Sequence, residues 1–159
     1  MLWRLSLAGK TGLESHWREA AAYSDKFFPK AGVHFADVHH ALAVAATNGG
    51  TLEPRLAEME VRLAEGKLAP GASAIGLCRG IQAFASGEND DAVRILEPLM
   101  PELLRIGGSH AQRELWEDTF IVACIRAGRG EKATKLIAER LHRRPSRRDE
   151  AWSREAGRD

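Results

Sequence analysis

The chain has 159 residues, 44% of them hydrophobic and 28% charged, a balance that suits one globular domain with a core of its own. A formal net charge of +1 supplies no overall attraction to nucleic acid or to an anionic membrane surface. No apolar run reaches the length of a membrane span. Met1 to Gly9 is too short and too weakly basic for a signal peptide, so a cytoplasmic location is expected.

Residues 2–8 read as the end of a helix, stopped by Gly9 and Gly12. Two turns cannot stand alone in water and need a neighbour. Leu13, Trp17, Ala20, Ala21 and Phe28 mark a second amphipathic helix, closed by Pro29 and Gly32. A third, from His34 to Thr47, carries the stripe Phe35, Val38, Leu42, Ala45 and Ala46. After the turn at Asn48-Gly49-Gly50, Leu52, Leu56, Met59 and Leu63 define a fourth, with Glu58 and Arg62 ordered for an i,i+4 pair.

The fifth helix, about 73–86, sets Gly76 and Gly80 one turn apart, a smooth strip for a close neighbour. The sixth, about 89–106, contains Pro98 and Pro101, which predict a kink or break near Arg94 to Leu99. The eighth runs from about 130 to 143 and stops before Pro145. Beyond it, arginines alternate with acids, which predicts a solvated charged tail over 146–159 rather than a nucleic-acid track, with Trp152 available to staple it back. Cys78 and Cys124 stand far apart within apolar helical patterns and read as buried reduced thiols.

The seventh helix is expected to be the hub. Gly107-Gly108 allows a sharp turn, and Ser109 with Gln112 three residues later forms the S-x-x-Q capping box. Trp116, Phe120, Ala123, Cys124 and Ala127 follow at helical spacing, with Leu115, Ile121, Val122 and Ile125 on the other sides. A helix apolar nearly all round belongs in the middle of a bundle.

Gly87 followed by Ala92 and Leu96 matches Gly128 followed by Ala133 and Ile137, and Asn48 holds the equivalent turn earlier. Those turns, at 48, 87 and 128, are 39 and 41 residues apart, against about 34 for a tetratricopeptide unit. The expected fold is therefore all-α: a tetratricopeptide-like right-handed solenoid of stacked antiparallel hairpins, about eight helices and no sheet, over residues 1–145.

The string Gly-Gly-Ser-His-Ala-Gln-Arg-Glu-Leu-Trp-Glu at 107–117, continuing to Ile125-Arg126-Ala127-Gly128-Arg129, resembles a signature segment of the tetratricopeptide repeat protein 38 family. Phe35-Ala36-Asp37-Val38-His39-His40-Ala41-Leu42-Ala43 resembles a second. The similarity covers about residues 1–145 and corresponds to the C-terminal portion of longer members. It implies a helical-repeat fold and carries no defined reaction.

Four of the six histidines, His34, His39, His40 and His110, fall in or beside these two segments. With the third and seventh helices side by side, Asp37, His39 and His40 would meet His110, Arg113 and Glu114 around the Ser109–Gln112 cap. One reading is a buried hydrogen-bond network, with Asp37 and Arg113 as a bidentate pair. A second is a small-molecule or anion pocket at the helix N-terminus. A third is metal or hydrolytic chemistry, disfavoured because adjacent His39 and His40 point to different sides of their helix and neither Ser nor Cys stands in a nucleophile elbow. No catalytic residue, metal ligand set or cofactor is assigned.

The leading expectation is an interaction module that binds a protein segment or itself. The alternative is a binding protein or enzyme built on Asp37, His39, His40, His110 and Arg113. A first helix with no upstream neighbour would leave Leu2, Trp3 and Leu5 or Leu7 bare, which predicts a homodimer covering them.

Overall fold

The computed structural model describes residues 2–47 and 50–157. Among them there is no strand: the chain folds as α1 (Leu2–Leu7), α2 (Glu14–Phe27), α3 (His34–Ala45), α4 (Glu53–Ala64), α5 (Ala72–Ala85), α6 (Asn89–Leu96), a 3-10 segment (Glu97–Glu102), α7 (Leu103–Ile106), α8 (His110–Arg126), α9 (Gly130–Arg143) and α10 (Arg147–Ala156). The all-α expectation holds. The long helix expected over 89–106 breaks at Glu97, inside the expected interval, because Pro98 and Pro101 delete amide donors. The turn assigned to Asn48 lies outside the described residues.

Packing follows chain order through much of the molecule. Helix α2 lies on α3, α3 on α5, α5 on α6, α6 on α8, α8 on α9 and α9 on α10. The turns at Gly87 and Gly128 have one geometry. Both glycines take positive φ, the amides of Glu88 and Arg129 bond to the carbonyls of Ala83 and Cys124, and the amides of Gly87 and Gly128 bond to those of Phe84 and Ile125. This Schellman pattern satisfies carbonyls that a helix end otherwise orphans. Ala92 and Ala133, five residues beyond each glycine, are fully buried.

The strip on α5 lets α6 approach closely. A Cβ on Gly80 would stand 2.7 Å from Leu96 Cγ, and one on Gly76 would stand 2.8 Å from Leu99 Cδ1. Glu58 and Arg62 pair at 3.4 Å, and Cys78 and Cys124 are buried and free.

Helix α8 is the centre. It packs against α1, α5, α6, the 3-10 segment, α9 and α10, and Leu115, Trp116 and Phe120 to Cys124 are all buried. Its capping box is complete: Ser109 Oγ accepts from the Gln112 amide at 3.3 Å, and Gln112 Oε1 accepts from the Ser109 amide at 2.8 Å.

Both ends of the described chain dock on the helices between them. Helix α1 crosses to α8, where the Trp3 indole N–H donates to Thr119 Oγ1 at 2.8 Å and Thr119 Oγ1 donates to the Leu115 carbonyl at 2.8 Å. Trp3 and Leu7 are thereby buried within one chain, while Leu2 is half-buried and Leu5 stays exposed. The charged tail is a helix held down on one side, with Arg147, Glu150, Arg154 and Glu155 exposed. Ser146 caps α10, accepting from the Asp149 amide at 3.2 Å, and Asp149 and Trp152 are buried.

Candidate functional site

A cleft of about 700 Å³ opens between α1, α2, α3 and the start of α8. Its walls are mostly apolar, and the local sequence explains why. Trp17, Ala20 and Ser24 fall on one face of α2 at helical spacing, with Phe28 at its C-cap, opposite Phe35, His39 and Leu42 of α3. Trp3 joins from α1, and Gln112 and Leu115 from α8. Both indole N–H groups are occupied elsewhere, Trp3 on Thr119 and Trp17 on Ser6 Oγ at 3.3 Å. At the rim, Tyr23 and Phe27 are exposed and stack on each other at 4.5 Å between ring centroids.

The eight singled-out residues do not form one cluster. His39, His40 and Gln112 line the cleft. His39 lies between Phe35 and Trp116, with ring centroids 4.2 and 5.5 Å away. Its Nδ1 stands 2.8 Å from the Phe35 carbonyl. A carbonyl can only accept, so Nδ1 carries the proton and Nε2 holds the lone pair. Burial is the main force holding this imidazole below its ordinary pKa of 6.5, opposed by the bond to Phe35. His40 Nδ1 is 3.0 Å from Ser24 Oγ and 3.6 Å from Asp25 Oδ1. Burial and then the Arg55 guanidinium lower its pKa as well.

Asp37 turns away from α8. It is fully buried, with Oδ1 2.6 Å from Arg55 Nη1 and Oδ2 accepting from the Gly32 amide at 2.9 Å. Arg55 also donates to the Phe28 carbonyl. The expected pairing of Asp37 with Arg113 is therefore replaced by Asp37 with Arg55. Arg113 donates instead to the Gly108 carbonyl at the helix mouth. His110 is largely exposed, 3.6 Å from Glu114 Oε1, and Glu114 is buried beneath Arg144 and Arg4.

The strongest polar feature is one that sequence reading missed. Asp118, fully buried in the middle of α8, receives arginines from three helices. Arg4 Nε of α1 and Arg148 Nη1 of α10 stand 3.0 and 2.9 Å from Oδ2, and Arg140 Nη2 of α9 stands 2.9 Å from Oδ1. Arg140 Nε pairs with Asp149 Oδ2 at 3.1 Å. The available signal was i,i+4 spacing: Glu114 and Asp118 share a face of α8 that carries no solvating lysine.

Chemically, the cleft is suited to binding. Ser24 and Asp25 both approach Nδ1 of His40, whereas activating a serine needs the carboxylate on the nitrogen opposite the hydroxyl. Among the described residues, no group of three or more His, Cys, Asp or Glu is placed to hold a metal ion, and no helix is long and apolar enough to cross a membrane. No family model matches the chain, and no solved structure matches it.

Proposed function

We propose that this chain is a non-catalytic binding module of stacked helical hairpins, with the cleft between α2, α3 and α8 as its ligand site. The observation that carries this is the cleft itself: about 700 Å³, within the span of small-molecule sites, and lined by aromatic and aliphatic groups with few polar ones. The commitment of Asp37 to Arg55, and of Glu114 and Asp118 to arginines, supports binding over catalysis, because these groups serve to hold helices together. The like geometry of the Gly87 and Gly128 turns, and the burial of Ala92 and Ala133, support the hairpin-repeat reading and the kinship with the tetratricopeptide repeat protein 38 family. Buried free thiols accord with a reducing, cytoplasmic setting.

The test uses Nile red, an uncharged dye whose emission rises on leaving water. Saturable binding at one site on the full chain, abolished by Ala20→Trp at the cleft wall, is the expected result. Absence of binding, or binding indifferent to Ala20→Trp in a folded variant, would refute the assignment.

A further inference from the structure

We infer that the cleft takes an uncharged small molecule with an apolar body and one hydroxyl or amide group, held between His39 and Gln112. This rests on the reading of the cleft as the binding site and adds the ligand's chemical class.

The two polar groups are fixed by bonds they make outside the cleft. Gln112 Oε1 accepts from the Ser109 amide. An amide N–H requires an acceptor, so the orientation of the Gln112 carboxamide is set and its NH2 is left over as a donor. His39 gives its Nδ1 proton to the Phe35 carbonyl, which leaves Nε2 as an acceptor. Neither the Gln112 NH2 nor His39 Nε2 bonds to another described residue; His39 is partly buried, and Gln112 stands exposed at the cleft mouth.

The two side chains belong to adjoining surfaces. A Cβ on Gly108 would stand 2.7 Å from the Phe35 ring and 3.3 Å from Gln112 Oε1, and His39 lies against both Phe35 and Trp116. Gln112 and Trp116 are one turn apart on α8. The rest of the wall is mainly apolar: His40 and Ser24 bond to each other, Arg4 is committed to Asp118, and the Tyr23 hydroxyl lies on an exposed side chain. A hydroxyl or a carboxamide answers the Gln112 donor and the His39 acceptor at once.

A negative charge on the ligand is excluded by the same accounting. Arg4 lines the cleft but is committed to Asp118, Glu114 and the Ala111 carbonyl, at 3.0, 3.7 and 2.7 Å. A carboxylate would meet the His39 lone pair with no free counter-ion. Setting a carboxylate against the partly buried His39 lone pair is unfavourable, so discrimination of about tenfold is expected.

The experiment titrates the full chain with 2-naphthol, 2-naphthamide and 2-naphthoate, following tryptophan emission, the thermal midpoint and the 15N shift of His39 Nε2. The neutral pair is expected to bind about tenfold tighter than 2-naphthoate and to move the Nε2 signal in the direction of an accepted hydrogen bond. His39→Phe retains the packing on Phe35 and Trp116, and Gln112→Glu retains the capping box. Each is expected to erase most of that preference while the thermal midpoint stays near that of the parent. Equal binding of all three probes, or a preference untouched by both variants, overturns the ligand class but leaves the cleft as a site. Failure of all three to bind overturns it too, and if Nile red also fails, the binding reading falls with it.

Discussion

Replacing Asp118 with asparagine keeps the side chain's shape and removes the charge that three guanidiniums share. Arg4 and Arg148 are each about 30% exposed, 32% and 29%, so water screens their pairings and each contributes about 0–1 kcal/mol. Arg140 is different: it is buried, neither its Nη1 nor its Nη2 makes a hydrogen bond among the described residues, and only Asp149 would remain to balance it. Breaking a buried ion pair by deleting one partner costs about 3–5 kcal/mol, and the surviving Asp149 contact places the loss near the lower end, about 3 kcal/mol. For a chain of this size that lowers the thermal midpoint by roughly 6–12 °C. Urea unfolding followed by tryptophan emission reads the loss as a lower midpoint at unchanged slope. Adding Arg140→Met removes the stranded charge and is expected to recover part of the loss, so the two changes are not additive. A loss below about 1 kcal/mol for Asp118→Asn, or simple additivity with Arg140→Met, would show that the arginine hub does not hold the helices.

Three further outcomes follow from the same geometry. Gly80→Ala brings a methyl group to 2.7 Å from Leu96 Cγ, and the overpacking, about 1–3 kcal/mol, exceeds the helix-propensity gain of about 1 kcal/mol. Net destabilisation is expected in urea unfolding, and it should shrink when Leu96→Val is added. His39 and His40 both titrate below 6.5 in the folded state, so the unfolded chain binds more protons at these rings as the pH falls. The stability they contribute is complete above the unfolded value near 6.5 and is lost as the pH drops through the folded values. The urea midpoint is expected to fall on acidification from about pH 7.5 to about pH 5.5, less steeply in His39→Phe, and a flat or rising midpoint would contradict this. Burial pushes the thiols of Cys78 and Cys124 up to about 12 and about 11. Labelling with a disulfide reagent should therefore track global unfolding in urea, and rapid native-state reaction at either cysteine would refute their burial.

Local chemistry was readable in the sequence. The Ser109–Gln112 box, the proline break after Leu96, the glycine strip on α5 and the two matched turns each depend on residues a few positions apart, where helix geometry is the whole argument. The error over Asp37 was also one of helix geometry. Residues 35 and 39 share a face and 37 lies opposite, because side chains two apart do not face one another. Once Phe35 and His39 were turned toward α8, Asp37 had to face elsewhere, and Arg55 of α4 is what it meets. The arginine hub was hidden for another reason. Arg4, Asp118, Arg140 and Asp149 come from four helices, and alternating charges in the tail resemble a solvated segment until Asp118 is seen to be buried.

The position of Asp118 has a consequence for how the molecule is made. During synthesis the carboxylate emerges matched only by Arg4, while Arg140, Arg148 and Asp149 have yet to follow. A nascent chain halted before residue 140 would hold that acid, without Arg140 and Arg148, on the rod that α1, α5, α6 and α9 pack against. Folding of the middle is thereby coupled to the arrival of both flanks, and a protease that removed α10 would loosen the grip on α1 at the opposite end of the chain.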